Sequence, residues 1–381
     1  MKIVIAPDSF KESLTAMEAA EMIEQGFQSV FPDAEYCKVP LADGGEGTVQ
    51  AMVDATGGQI MPVLATGPRG NQVEAFFGVL GDKQTAVIEM AAASGLHLVE
   101  PALRDPRKTS SYGTGELIAA ALDAGATKLI IGLGGSATND AGVGMLQALG
   151  AQFFDQFNKP LKRGGAELIE LERIDISGLD PRLAEVEIEV ACDVDNPLCG
   201  EQGASAVFGP QKGATPEMIR QLDAALGRFA SVVFSQFGID IMHVAGSGAA
   251  GGLGAALLAF MQAELRPGVQ IVTEAVDLAS SLEGADLLIT GEGRIDSQTI
   301  AGKTPYGAAQ VAMQYGVPVI AFAGAMLPGY EVVHEHGINA VFSIVPGPCD
   351  LAHAIEQAEA NLLVAAQNVA ATIKLSQEML S

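Results

Sequence analysis

The chain has 381 residues, a hydrophobic fraction of 49% and a formal net charge of -25. That length leaves room for more than one buried core, and that hydrophobic content excludes an intrinsically disordered chain. The negative charge argues against sequence-independent binding to nucleic acid or to an anionic membrane, although a local group of Lys and Arg can still take an anionic substrate. Cys37, Cys192, Cys199 and Cys349 show no Cys-x-x-Cys spacing, and the His residues complete no zinc pattern. No signal peptide opens the sequence, so a cytoplasmic protein is the default expectation.

Lys2 to Ala6 is an apolar, β-branched run ended by Pro7, which predicts a buried parallel strand. Asp8, Ser9, Lys11 and Glu12 follow it. Thr15 and Glu18 then form a capping-box signature for a helix with Ala19, Ile23, Phe27 and Val30 on its buried face. Glu35 to Val39 predicts a second strand, which leads into the acidic glycine loop Asp43, Gly44, Gly45, Glu46, Gly47 and a helix over 48–56. After Gly58 the pattern changes. Ile60 to Leu64, Val73 to Leu80 and Thr85 to Glu89 read as short strands of antiparallel character, and 110–124 as a helix.

Lys128 to Gly132 predicts a strand that stops at Gly134, Gly135, Ser136, Thr138, Asn139 and Asp140, with a helix resuming at Val143. A strand, a glycine loop and a helix start expose backbone N–H groups to a phosphate. Ser136 and Thr138 add donors, and Asp140 can face a magnesium ion. The same residues also make an ordinary tight turn with Ser136 or Thr138 as N-cap. Val186 to Cys192 predicts a strand ending in Asp193, Asp195 and Asn196. Thr215-Pro216 opens a helix with Ile219, Leu222, Leu226, Phe229 and Val233 on one face. Val244 to Ala263 is uncharged and long enough to cross a bilayer, but its Gly and Ala content predicts a buried glycine loop and helix instead. Strands return at Ala285 to Thr290, Val317 to Ala323 and Ala340 to Val345. A last helix from Asp350 is expected to turn Leu351, Ile355, Leu362, Val369 and Ile373 inward.

The first βα units are too few for a stable sheet, and the last hundred or so residues supply the rest. The expected architecture is therefore α/β with a discontinuous, doubly wound parallel-sheet domain over 1–59 and 284–381, and a second α/β domain inserted over 60–283. Ligands of such sheets sit beyond the carboxyl ends of the strands. The loops with Asp8, Ser9, Lys11, Asp43, Gly44, Gly45, Arg294 and Asp296 are expected there, facing the loops of the inserted domain across a cleft. Anion cradles, carboxylates and a few cations together fit phosphoryl transfer. Gly302-Lys303-Thr304 is like the end of a P-loop, but Ser297 stands where the first glycine belongs. Gly246 to Gly251 matches the dinucleotide fingerprint but has no acidic residue at the expected offset. An NAD(P)-dependent oxidoreductase and a non-catalytic anion binder stay open as alternatives.

The start Lys2-Ile-Val-Ile-Ala-Pro-Asp-Ser-Phe-Lys-Glu-Ser13, with Ala42-Asp-Gly-Gly-Glu-Gly-Thr48, Gly134-Gly-Ser-Ala-Thr-Asn-Asp140, Phe208-Gly-Pro-Gln-Lys-Gly-Ala214, Gly248-Ala-Ala-Gly-Gly252 and Ile289-Thr-Gly-Glu-Gly-Arg-Ile-Asp-Ser297, resembles the bacterial type-1 glycerate kinase family. The resemblance covers essentially the whole chain. It implies a flavodoxin-like discontinuous domain and ATP- and Mg2+-dependent phosphorylation of D-glycerate to the 2-phosphate, with the 3-phosphate as the alternative product. Candidate catalytic residues are Asp193, Asp296 and Lys11. Asp8, Ser9, Asp43, Gly44, Gly45 and Arg294 are candidates for substrate, and Asp193, Asp296 and Asp140 for magnesium. For the nucleotide the candidates are Gly134, Gly135, Ser136, Thr138, Gly248, Gly251, Gly252, Gly291, Gly293 and Lys303. Base and metal ligand are not separable at this stage, because each is a carboxylate following a strand. A homo-oligomer is compatible with the sequence but not required by it.

Overall fold

The structure is a computed structural model and describes residues 1–380. The strands are β1 (Lys2–Ile5), β2 (Glu35–Lys38), β3 (Gln59–Thr66), β4 (Gln72–Val79), β5 (Thr85–Glu89), β6 (Lys128–Gly132), β7 (Gln152–Phe154), β8 (Arg173–Asp175), β9 (Glu187–Ala191), β10 (Glu264–Arg266), β11 (Leu287–Ile295), β12 (Val319–Met326) and β13 (Ala340–Ser343). The chain forms two compact units. One takes Met1–Asp43, Gln50–Gly57 and the described residues from Gly268 on; the other takes Gly44–Val49 and Gly58–Pro267.

The first unit is built on a five-stranded sheet in the order β13-β12-β11-β1-β2, parallel throughout. Counted within the unit this is the doubly wound order 2-1-3-4-5, and the strand order reverses between β1 and β11. Ile3, Ile5, Phe27, Ile289, Phe322 and Leu362 lie in its core. The predicted capping box forms: Thr15 N–H donates to Glu18 Oε2 at 2.8 Å, and Glu18 N–H donates to Thr15 Oγ1 at 3.2 Å.

Two expectations for this unit need correction. Leu351 is 74% exposed, because the last helix is broken at Gln357 into Leu351–Glu356 and Ala358–Leu380. Leu362 and Val369, on the long second piece, are buried as expected. The expected boundary at 283/284 falls too late. The helices Gly268–Ala275 and Leu278–Leu282 belong to the first unit. Val269 packs so closely on the Thr304–Tyr315 helix that a Cβ at Gly307 would lie 2.1 Å from its Cγ2.

The second unit carries a six-stranded sheet in the order β10-β9-β6-β5-β4-β3. Strands β10, β9, β6 and β5 are parallel, whereas β4 and β3 pair antiparallel. β5 thus mixes the two kinds of pairing, which its short apolar run did not reveal. An antiparallel pair, β7 with β8, was also not foreseen. Val244 to Ala263 folds as turns and the Ala249–Phe260 helix, buried through Leu257. Among the described residues no helix is long and apolar enough to cross a membrane.

Candidate functional site

In the first unit, the crevice where the strand order reverses is built by continuations of β1 and β11. Ala6 N–H donates to Ile289 O at 2.7 Å and Asp8 N–H to Gly291 O at 2.8 Å, so Asp8 is delivered beside Glu292. β11 does not end at Thr290. It pairs with β12 as far as Ile295, because Gly291 lets the backbones close: a Cβ there would lie 2.5 Å from Phe322 O. Gly291 is therefore a strand glycine, while Gly293 keeps a partly open face. Strand alternation puts Glu292 and Arg294 on one side.

A polar cluster follows. Thr299 Oγ1 donates to Glu292 Oε1 at 2.8 Å, and Lys303 Nζ donates to Oε2 at 3.3 Å. Arg294 Nε lies 3.0 Å from Asp296 Oδ2, and Lys303 Nζ 4.0 Å from Asp296 Oδ1. Gln298 N–H also donates to Asp296 Oδ1 at 2.8 Å. Thr304 Oγ1 donates to Asp8 Oδ2 at 2.5 Å, and Ser9 N–H to Asp8 Oδ1 at 2.6 Å. Lys303 is the N-cap of the Thr304–Tyr315 helix and makes no side-chain cap bond. The P-loop-like Lys-Thr pair thus opens a helix whose positive end lies by these carboxylates. Glu292 and Asp296 are buried, Asp8 and Ser9 partly exposed, and Lys11 and Arg294 exposed.

Burial first, and then the neighbouring Asp43 charge, lift the Asp8 carboxyl to about 6, against the Thr304 and Ser9 hydrogen bonds. Burial likewise lifts Glu292 to about 7; Lys303 and Thr299 oppose this, and Asp8 adds to it. Two carboxyls raised together can exchange a proton near neutrality, which is what acid–base work requires.

The second unit treats its glycine loops differently. In the turn after β6 only Gly134 and Gly135 are exposed; Ser136, Thr138, Asn139 and Asp140 are buried. The Lys212 ammonium, itself buried, donates to Ser136 Oγ at 2.8 Å and to Thr138 O at 2.7 Å. Burial pulls Lys212 down to about 7, with the Asp140 charge opposing. Asp140 Oδ2 accepts from Ser111 N–H at 2.8 Å, Ser111 Oγ at 3.0 Å and Gly144 N–H at 3.2 Å, and Oδ1 accepts from Gly142 N–H at 3.3 Å. With these four hydrogen bonds Asp140 braces the turn from inside. Among the described residues no group of three or more His, Cys, Asp or Glu is arranged to hold a metal ion. Ser136 Oγ is taken by Lys212, whereas Thr138 Oγ1 is buried with no hydrogen-bond partner among the described residues.

Gly248, Gly251 and Gly252 are buried packing positions, not an open cradle. A Cβ would lie 2.2 Å from Pro197 O at Gly248, 2.0 Å from Thr138 O at Gly251, and 2.8 Å from Leu198 Cδ1 at Gly252. The dinucleotide fingerprint at 246–251 thus has no glycine face left for a pyrophosphate. In the Gly44–Thr48 loop, Gly44 is buried and Gly45 partly exposed. The Thr48–Thr56 helix start is already served by Glu89, whose Oε1 accepts from Val49 N–H at 2.8 Å and which also bonds the backbone of Gly47 and Thr48. Asp193 lies exposed in the loop after β9.

Sequence reasoning places Glu292 with Arg294 and Asp296 at the ligand edge without giving it a role, and passes over Thr304, Lys212 and Glu89 as functional or supporting groups. For Glu292 a signal was present, since it stands in the same run as Arg294 and Asp296. A lysine in a Gly-Pro-Gln-Lys-Gly loop reads as solvated, and only the fold shows it buried.

A doubly wound sheet with paired acids and cations at its reversal point defines an α/β enzyme acting on a small anionic substrate. Residues 3–374 match the model of the glycerate kinase family. The Haemophilus influenzae glycerate kinase is 59% identical, with 97% of this chain and 98% of the relative covered. The Escherichia coli glycerate 2-kinase is 55% identical, with 98% of each covered. A crystal structure from Salmonella typhimurium, provisionally named glycerate kinase 2, superposes with a TM-score of 0.92 at 58% identity over 99% of each chain. The chain belongs to the glycerate kinase family and is an enzyme of the kinase class with ATP as co-substrate.

Proposed function

We propose that the chain transfers the γ-phosphoryl group of ATP to the 2-hydroxyl of D-glycerate. The observation that carries this is nearly full-length similarity, at 59% and 55% identity, to glycerate kinases, including one named a 2-kinase. Within the first unit, Asp8 accepts the hydroxyl proton. It is the partly exposed member of the raised pair, it is oriented by Thr304 and Ser9, and its carboxyl titrates at about 6. Arg294, Lys303 and Lys11 neutralise the glycerate carboxylate, and Asp296 aims Arg294 and Lys303. Asp43 raises Asp8, which favours its protonated form and makes the carboxylate, once formed, a stronger base. In the second unit the exposed Gly134–Gly135 turn takes nucleotide phosphates on its N–H groups. Magnesium needs only one or two carboxylates besides phosphates and water, and the exposed Asp193 fits that role; the ion would offset phosphate charge.

The NAD(P) reading is not favoured, since its glycines are buried against Pro197 and Thr138. The test is incubation with ATP, Mg2+ and D-glycerate, followed by phosphorus NMR. ADP with 2-phosphoglycerate is the expected result. Formation of the 3-phosphate overturns the regiochemistry, and absence of glycerate-dependent ADP overturns the activity.

A further inference from the structure

The turn after β6 has an unusual division of its polar groups. Gly135 O accepts from Leu96 N–H at 2.8 Å, Ala137 O accepts from Thr109 Oγ1 at 2.8 Å, and Thr138 O accepts from Lys212 Nζ at 2.7 Å. Ser136 Oγ also accepts from Lys212, at 2.8 Å. These acceptors are all engaged by the protein. Among the described residues, by contrast, no protein acceptor takes the N–H of Gly134 or Gly135, and both residues are exposed. Ala137 N–H is also engaged, donating to Ser94 O at 2.9 Å, so the N–H groups of Gly134 and Gly135 are the exposed donors this stretch presents to an anion.

Lys212 supplies two of those ties from one side chain. It comes from the short segment Pro210–Lys212, and the neighbouring helix Ala204–Phe208 adds a tie through Ser205, whose Oγ accepts from Asn139 Nδ2 at 3.0 Å. Burying an ammonium is costly, and an apolar side chain of the same volume would fill the space more favourably. What the ammonium adds is a set of donors aimed at a hydroxyl and a carbonyl two positions apart on the chain. The nearby Asp140 is itself engaged by Ser111, Gly142 and Gly144, so both hydrogen bonds of Lys212 go to the turn.

We propose that Lys212 is a positioning residue for the kinase reaction: by drawing Ser136 and Thr138 inward it holds the Gly134–Gly135 N–H groups in the orientation that receives the nucleotide phosphates. This rests on the reading that the Gly134–Gly135 turn binds those phosphates. Lys212 touches no reacting atom. Its effect is on nucleotide affinity, with the glycerate step left alone.

The experiment compares wild type with Lys212→Met, which keeps volume and removes the donors, with Ser136→Ala, which removes one tie, and with Gly135→Ala, at a position of φ 72°. ADP affinity is read by titration calorimetry, KM for ATP and for glycerate by steady-state kinetics, and folding by thermal melting. Lys212→Met is expected to weaken ADP and raise KM for ATP about tenfold, with KM for glycerate near wild type; Ser136→Ala moves the same quantities by less. Wild-type ADP affinity in folded Lys212→Met overturns the proposal, as does an equal rise in both KM values. If Lys212→Met does not fold, Ser136→Ala decides in the same way. Gly135→Ala separates the two levels. If it weakens ADP while the Lys212 and Ser136 variants do not, only the role of Lys212 fails. If it also leaves ADP affinity intact, the phosphate reading of the turn fails, and with it the proposal.

Discussion

The crevice of the first unit and the glycine loops of the second are written in similar residues, Gly with Asp, Glu, Ser and Thr, and the fold uses them in opposite ways. Around Asp8 and Glu292 the protein leaves two carboxyls raised, one to about 6 and the other to about 7, with only part of the compensation that Lys303, Thr299 and Thr304 provide. Around Gly248, Gly251 and Asp140 the polar and small groups are consumed by the protein itself, through close backbone approach and hydrogen bonds to Asp140. A glycine in sequence reports that something comes near the backbone. Whether that neighbour is a ligand or the rest of the chain is decided by which N–H groups the fold has already taken.

The comparison breaks most readily at Asp8. If the crevice does acid–base chemistry, Asp8→Asn lowers kcat by about a thousandfold, within the range such groups supply, while the variant folds normally. In the wild type kcat/KM then falls as pH drops below about 6, where Asp8 takes up a proton. A variant with kcat within tenfold of wild type removes Asp8 as the base.

For the second unit the expected loss is in stability instead. Gly251→Ala places a Cβ where Thr138 O already lies, 2.0 Å away. The clash is expected to cost about 3 kcal/mol, in the upper part of the range for single substitutions, and denaturant unfolding measures it. A neutral Gly251→Ala would mean that the contact relaxes and the position is free for another role.

The raised carboxyls of the crevice also make stability depend on pH. A carboxyl whose folded pKa is raised binds its proton more tightly when folded, so its stabilising contribution is complete below the unfolded value and is lost as pH rises through the folded one. For Asp8 the window runs from 3.8 to about 6, and for Glu292 from 4.5 to about 7. Each shift corresponds to roughly 3 kcal/mol before solvent screening at the partly exposed Asp8 is allowed for. Glu292→Gln is therefore expected to melt above wild type at pH 8, with the gain shrinking towards pH 4. A Tm difference independent of pH would show that Glu292 carries no such burden.

Much of this was legible in the chain. Apolar runs marked β1, β6, β12 and β13; β2 and β9 read as strands in spite of their charged residues, and the split of parallel strands between the two ends pointed to a discontinuous sheet. The start of β11 was equally plain, but its extension over Gly-Glu-Gly-Arg was not, because glycines in a strand are tolerated only where a partner backbone comes close, here at Phe322. Leu351 misled because helical spacing continued across a break at Gln357 that no Gly or Pro announces. In the site, Asp8 and Arg294 were visible as polar residues after strands. The partnership of Glu292 with Thr299 and Lys303 depends on the turn after β11, and the burial of Lys212 on packing far along the chain.

The smallest effect expected is at Glu89, and it tests the second unit most directly. The Asp43–Thr48 loop with its following helix has the form of an anion cradle, yet the anion at the helix start is the protein's own carboxylate, bonded to Val49 and to the Gly47 and Thr48 backbone. Glu89→Gln keeps an acceptor oxygen and removes the buried charge, so it is expected to change stability by less than about 0.5 kcal/mol. Glu89→Ala leaves the N–H groups without a partner and is expected to cost about 1 kcal/mol, the usual loss on removing a helix cap. Thermal melting of the two variants side by side reads the difference. If Glu89→Ala melts with wild type, the helix start does not depend on Glu89, the loop is open to an outside anion after all, and the two units use their glycines more alike than their burial indicates.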